Sequence, residues 1–252
     1  MKRKLTAVVI FSLAACLSTT ASMIDDASNY TSGTWTNGSN GGSGFDAWSL
    51  SSGGGNSGWF IGTSTNGIGG DGSLDTSGQS FGMYGHSTEY ADATRDFGSP
   101  FEDNFIFTIE LGVNYRNGNK GFNLQDSSNA DLFLFQVASD AYNYQNQGGS
   151  GSLTDLGWSY KSDSIITLSF SNTPSANTYG VSISRNDGVS TNITMDFGAE
   201  ADGIKLFCGD TGGSDAENNL YFNNMSMVPE PMTAGLLFIG VGLLLAFRNG
   251  RK

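Results

Sequence analysis

The chain of 252 residues is short of histidine, cysteine and charge. Its single histidine excludes metal centres built on several imidazoles. Only 14% of residues are charged against 12% aromatic, the reverse of a disordered polyelectrolyte, so a packed core is within reach. Bases are scarcer than acids, 12 against 24, and the sequence pI is near 4.2. A nucleic-acid partner needs a Lys/Arg footprint, and that balance argues against one. What the chain has in excess is glycine, 36 residues with no triplet period. Glycine at about twice its usual share points to turns between many short strands.

The two ends differ from the middle. Residues 1–21 have the layout of a secretory signal. Met1-Lys2-Arg3-Lys4 is basic, Leu5 to Leu17 is mostly apolar, and Ser18-Thr19-Thr20-Ala21 offers a small-residue cleavage site. A rival processing point is Leu13-Ala14-Ala15-Cys16, which resembles a bacterial lipobox. If Cys16 leaves with the signal, Cys208 is the remaining cysteine and no intrachain disulfide can form.

At the other end, Pro229-Glu230-Pro231 precedes an apolar run from Met232 to Phe247 and then Arg248-Asn249-Gly250-Arg251-Lys252. Those 16 apolar residues would span about 24 Å as a helix, short of a hydrocarbon core of about 30 Å. The basic tail would stay cytoplasmic. The order of motif, apolar segment and basic cluster closely resembles the PEP-CTERM sorting signal of Gram-negative bacteria. The resemblance maps the motif onto Pro229, Glu230 and Pro231, with Arg248, Arg251 and Lys252 as its basic end. It implies an exosortase as partner, a transient stay in the inner membrane through the C-terminal helix, and cutting near the motif. It also implies delivery to the cell surface or extracellular matrix and an association with exopolysaccharide and biofilm. Three segments follow: a signal peptide at 1–21, an exported domain at 22–228 and a sorting signal at 229–252.

The exported stretch 22–228 keeps 23 of the acids and six of the bases, a formal charge of −17. Such a surface repels anionic membrane and nucleic acid. Its apolar residues recur with period two. Phe105, Phe107, Ile109, Leu111 and Val113 alternate with polar or small partners, and the pattern repeats at Ile166–Phe170, Tyr179–Ile183, Ile193–Phe197 and Ile204–Cys208. Asn117-Gly118 and Asn186-Asp187-Gly188 are turn signals between such runs. Asp131 to Val137 is apolar on both faces, as in a central strand. Residues 31–72 are Gly/Ser/Asn/Thr-rich but hold Trp35, Trp48 and Trp59, so they read as folded and turn-rich, with Trp59 in the core. The expectation is an all-β antiparallel sandwich of jelly-roll type. That arrangement resembles concanavalin A-like lectin and glucanase domains in architecture, without a specific motif.

Candidate chemistry is sparse. His86 lies in Tyr84-Gly85-His86-Ser87 and no Gly-x-Ser-x-Gly elbow accompanies it. Cys208 alternates in phase with Ile204 and Leu206 and reads as a small core residue. Paired glycosidase carboxylates are not visible, since no Glu-x-Asp-x-x-Glu strand occurs. Asp71 with Asp75, and Asp210 with Asp215, sit amid glycines and are candidate structural calcium ligands, although no cofactor is required. Trp35, Trp48, Trp158, Tyr142 and Tyr144 are candidate glycan-stacking residues, the two tyrosines sharing one face of any strand there. The reading is a non-enzymatic exported β-sandwich, with a glycan hydrolase or lyase and a purely structural adhesion protein as alternatives.

Overall fold

The computed structural model describes residues 22–69, 74–98, 101, 105–149, 151–173 and 177–230. Among them the chain runs through β1 (Met23–Asp25), β2 (Ser49–Ser52), β3 (Ser57–Gly62), a one-turn helix α1 (Thr65–Ile68), β4 (Ser80–Gly85), β5 (Tyr90–Asp96) and β6 (Phe105–Val113). It continues through β7 (Asn119–Gln125), β8 (Asp131–Ala138), β9 (Ala141–Asn146), β10 (Thr154–Asp155) and β11 (Ser164–Asn172). The last strands are β12 (Thr178–Arg185), β13 (Ser190–Asp196), β14 (Gly203–Gly209) and β15 (Leu220–Pro229).

These strands form two sheets. The first has the order β13-β12-β11-β6-β15-β4-β3, with β1 also on β15. The second has the order β10-β9-β8-β7-β14-β5-β2. Every strand pair is antiparallel. The protein is therefore an all-β antiparallel sandwich with a jelly-roll-like passage of the chain between sheets.

Period-two patterning dictates which way each strand faces. In β6, β11 and β12 alternate residues are buried, and Phe107, Ile109, Leu168, Phe170 and Val181 fill the inner face of the first sheet. From the second sheet Phe122, Phe133 and Leu206 meet them. Phe122 lies 5.6 Å and Phe133 5.1 Å from the Phe170 ring, so aromatic contacts join the two layers. Truncating one such ring to alanine costs about 3–5 kcal/mol through lost transfer energy and a cavity. Cys208 lies in this core as its phase predicts.

The turn-rich N-terminal third is ordered by polar chemistry as well as by rings. Asp25 and Arg95 form a buried ion pair. The guanidinium also donates to the Asp46 carbonyl and to Asn40 Oδ1, and it stacks 4.9 Å from the Phe45 ring and 5.0 Å from Trp48. Asp25 accepts in turn from Asn29 Nδ2 and the Tyr30 hydroxyl. A second buried tie is Asn223, at a bulge of β15 where Asn224 takes φ 55°. Its Oδ1 accepts from the Ala27 amide at 2.8 Å, and its Nδ2 donates to the carbonyls of Leu74 at 2.9 Å and Gln79 at 3.0 Å. The bulge lets β15 pair with β4 on one side of it and with β1 on the other.

One sequence expectation needs correction here, and one boundary meets the fold. Trp59 is only half-buried, because β3 is the edge strand of its sheet. The stretch assigned to a sorting signal begins inside the fold: Pro229 is the last residue of β15 and pairs with Phe105. The signal segment 1–21, the rival Cys16 and the tail from Pro231 through Arg248, Arg251 and Lys252 lie outside the described residues. Among the described residues no helix is long and apolar enough to cross a membrane.

Candidate functional site

The outer face of the second sheet carries a groove along β5, β14 and β7. Alternation on these strands puts Tyr90, Asp92 and Thr94 of β5 outward, opposite Lys205 and Phe207 of β14. Their cross-strand neighbours on β7 are Asn119, Gly121 and Asn123, followed by Leu134 and Gln136 of β8. Two cavities lie along this face, of about 430 Å³ and about 470 Å³. Lys205 lines both; Tyr90, Phe207 and Asn123 line the first, and Gln125, Asn129 and Asp96 the second. Each volume falls within the range that holds a small ligand or a few units of a polymer.

The groove's chemistry is amide-rich with one ion pair. Lys205 Nζ reaches Asp131 Oδ2 at 3.3 Å. Burial raises the Asp92 carboxyl above its ordinary pKa and nearby Asp131 adds to the effect, while Lys205 opposes it. Asn123 is 3% exposed, and its Oδ1 is buried without a hydrogen-bond partner among the described residues. Gln125 is in the same condition: its Nε2 donates to Asp131 Oδ1 and to the Asn129 carbonyl, but its Oε1 has no partner. Both amides face the groove from one strand. An orphaned buried acceptor costs about 1–3 kcal/mol, which a donor from a ligand or an ordered water would recover. Tyr90, 52% exposed, and the half-buried Phe207 add ring surface at the groove's side. Gly121 is required in the floor, since a Cβ there would lie 2.1 Å from the Phe135 carbonyl oxygen.

The aromatic candidates read from the sequence lie elsewhere. Trp35 and Trp48 are 3% and 1% exposed, packed edge-on against each other and against Phe81 and Phe222. Tyr142 is fully buried, its hydroxyl 3.2 Å from Ser164 Oγ. These three rings hold the fold and are not exposed for stacking: Tyr142 faces the core from β9, and the loop residues Trp35 and Trp48 are covered by Phe81 of β4 and Phe222 of β15. Tyr144 shares the face of Tyr142, as its spacing predicts, and is half-buried against the core. Trp158 is half-buried in the β10–β11 loop, 6.0 Å from Tyr142.

Three of the four calcium candidates lie among the described residues. Asp75 accepts from the Thr63 hydroxyl at 2.8 Å and the Ser64 amide at 2.9 Å, which positions the turn before α1. Asp210 is exposed at φ 53° and Asp215 is exposed before a single 3₁₀ turn. Asp71 lies outside the described residues. Among the described residues no group of three His, Cys, Asp or Glu side chains is placed to hold a metal ion. His86 is stacked on Tyr84 and touches the Thr211 hydroxyl through Nδ1 at 3.2 Å.

The groove itself was missed by sequence reading. Its residues are ordinary Asn, Gln, Asp and Lys at alternate positions of four strands, and the signal lies in which strands become neighbours. Asn119 and Asn123 do show the period-two spacing, but nothing in β7 alone distinguishes a groove floor from a solvated face.

No protein-family model matches the chain, and no curated protein sequence matches it. Among solved structures it is similar to a sialidase, with TM-score 0.45 and 11% identity over 60% of this chain and 15% of that one. It is also similar to the metal-free carbohydrate recognition domain of Emp46p, with TM-score 0.39 and 10% identity over 69% of this chain and 89% of that one. Lectin II from Ulex europaeus gives TM-score 0.40 and 14% identity over 63% of this chain and 89% of that one. The chain spans only a small part of the sialidase, and overlaps this loose say nothing of what the chain binds.

Proposed function

We propose that the domain is a glycan-binding module that receives a hydroxyl-rich sugar chain in the β5–β14–β7 groove. The observation that carries this reading is the pair of orphaned amide carbonyls on one sheet face, Asn123 Oδ1 on a residue that lines the first cavity with Tyr90 and Phe207, and Gln125 Oε1 on a residue that lines the second. Sugar hydroxyls donate to amide oxygens, and the apolar face of a pyranose stacks on a ring. The length of the groove along the strands suits several sugar units in a row. In this reading the Pro229-Glu230-Pro231 motif and the ends of the chain direct export and exosortase sorting, so the groove meets glycan at the cell surface or in the matrix. The test is affinity electrophoresis through gels containing neutral polysaccharides. Asn123→Leu and Tyr90→Ala are expected to lose about tenfold in retention, roughly 1.4 kcal/mol each, with melting temperatures near wild type. Unchanged migration of both variants in every gel that retards wild type would remove the groove from consideration.

A catalytic reading rests on Asp92. Burial raises its pKa, the direction that suits a general acid, and Asp131 stands nearby as a second carboxylate. Release of reducing ends or unsaturated sugars from a retained polymer, abolished in Asp92→Asn, would convert the module into a glycan hydrolase or lyase. Retention without any product release favours binding alone.

A further inference from the structure

At one rim of the sandwich, five side chains from four parts of the chain stack as alternating rings and cations. Trp158 and Tyr142 flank Arg185, whose guanidinium carbon lies 5.4 Å and 5.1 Å from the two ring centres. Tyr142 and Tyr160 flank Arg116 in the same way, at 5.6 Å and 5.3 Å. The two arginines differ in what they hold. Arg185 is saturated: it makes a two-pronged pair with Asp187 at 3.0 Å and 2.8 Å and donates to the Ser159 carbonyl at 2.8 Å. Arg116 makes no side-chain hydrogen bond or ion pair among the described residues, and its Nε is buried without a partner.

Charge bookkeeping makes this unusual. The stretch 22–228 has six bases against 23 acids. Arg95, Arg185 and Lys205 are paired with carboxylates and Lys120 is buried on the Asn218 carbonyl, which leaves Lys161 and Arg116 without an ion pair among the described residues. Of these two, Arg116 is the one whose cation is held in place, between the rings of Tyr142 and Tyr160. Of the acids around it, Asp163 accepts from Asn114 Nδ2 and Asp187 is held by Arg185, while Asp140 donates its backbone amide to the Arg116 carbonyl at 3.4 Å without an ion pair between the two side chains. Two exposed rings stand beside Arg116: Tyr160, 48% exposed with its hydroxyl on Asn114 Oδ1, and Tyr115, 42% exposed. Burial raises the Tyr160 pKa, and Tyr115, Tyr142 and Asp163 add to it, so its hydroxyl remains a neutral donor.

We propose that Arg116 is a binding site for the carboxylate of an acidic sugar, with the pyranose ring against Tyr160 and Tyr115. A guanidinium presents two parallel donors that match a carboxylate, and the rings on either side hold its plane in place. The site is separate from the groove and stands or falls without it. The acidic exterior repels long polyanions, so a single uronate unit or a short oligomer is the occupant and a densely charged polymer is not.

The test uses the part of the tryptophan emission that Trp158→Phe removes, since Trp158 joins the stack through Arg185, during titration with trigalacturonate, trimannuronate, their methyl esters and a neutral trisaccharide in about 0.15 M salt. An acidic trisaccharide is expected to shift emission and its ester to bind at least tenfold more weakly. Arg116→Gln is expected to lose at least tenfold, Arg116→Lys to recover only part, and Asn123→Leu to leave this titration unchanged. Should Arg116→Gln fail to fold, the wild-type pH profile substitutes: binding is lost as pH falls through the sugar carboxyl's own range, at about pH 3.5. Equal affinity for acid and ester, wild-type binding by Arg116→Gln, or no binding of either acidic trisaccharide each overturns the proposal.

Discussion

The two sheets solve the same packing problem with different side chains. The first sheet is plain. Within its central strands the inner face is apolar, and the outer face is lined by hydroxyls such as Thr108, Ser169, Ser182 and Thr194. A shallow cavity of about 440 Å³ lies there too, yet none of its lining hydroxyls is a buried orphan among the described residues. Hydroxyls rotate and find water; short β-branched and serine rows suit a pleated, solvated surface. The second sheet buries two cations on its inner face, Arg95 and Lys120, and leaves two amide carbonyls unpaired on its outer one, whereas in the first sheet the buried Arg185 and the orphaned Asn172 Oδ1 stand at strand ends. A sheet that carries these costs is the one to search for function, because polar groups without partners are retained only where something compensates them.

The strongest way to break this contrast is through Arg95. Arg95→Met leaves Asp25 buried without its partner, and a loss of about 3–5 kcal/mol is expected in urea melts. Adding Asp25→Leu should recover much of it, since the pair's desolvation penalty then disappears as well. If the double variant is as unstable as the single one, the network matters for its hydrogen bonds to Asn40 and the Asp46 carbonyl, and charge is secondary.

Lys120 sharpens the contrast through pH. Burial lowers its pKa from 10.5 to about 8, with the neighbouring Cys208 acting weakly the other way. The folded pKa lies below the unfolded one, so between about pH 8 and 10.5 the unfolded chain holds a proton that the folded chain has released. Stability contributed by this group therefore rises with pH across that window, by roughly 3 kcal/mol at about 1.4 kcal/mol per unit, and is flat below it. Lys120→Met should be more stable than wild type at pH 7 and should lack the rise. Parallel pH profiles for the two proteins would show that the amine is hydrated in solution.

The smallest expected effect is on the plain face. Ser169→Ala with Ser182→Ala should change stability by no more than about 0.5 kcal/mol and leave polysaccharide retention at the wild-type value. A retention loss matching that of Tyr90→Ala would mean that recognition is not confined to the second sheet.

Much of the fold was legible because alternation is a local signal. β6, β7, β8, β11, β12 and β14 fall where the apolar residues recur, and Gly118 takes the positive φ of 67° that its Asn-Gly turn implies. β5 and β15 were not legible. In β5 the inward residues are Ala91, Ala93 and Arg95, which carry no hydrophobic contrast. In β15 a bulge at Asn223 and Asn224 breaks the alternation midway. The aromatic candidates failed for a related reason: Trp35, Trp48 and Tyr142 have polar neighbours in sequence, but burial is decided by neighbours in space.

The sequence by itself determined the class of architecture, the excess of acids over bases and the glycine turns, since each follows from composition or short-range period. Only the tertiary structure decided which polar residues would meet. Asn123 and Gln125 become a groove floor because β14 and β5 pair beside β7, far along the chain. Arg116 becomes a free cation because Tyr142 and Tyr160 enclose it while Asp187 pairs with the other arginine. Long-range strand pairing leaves no local trace in the residues that it juxtaposes.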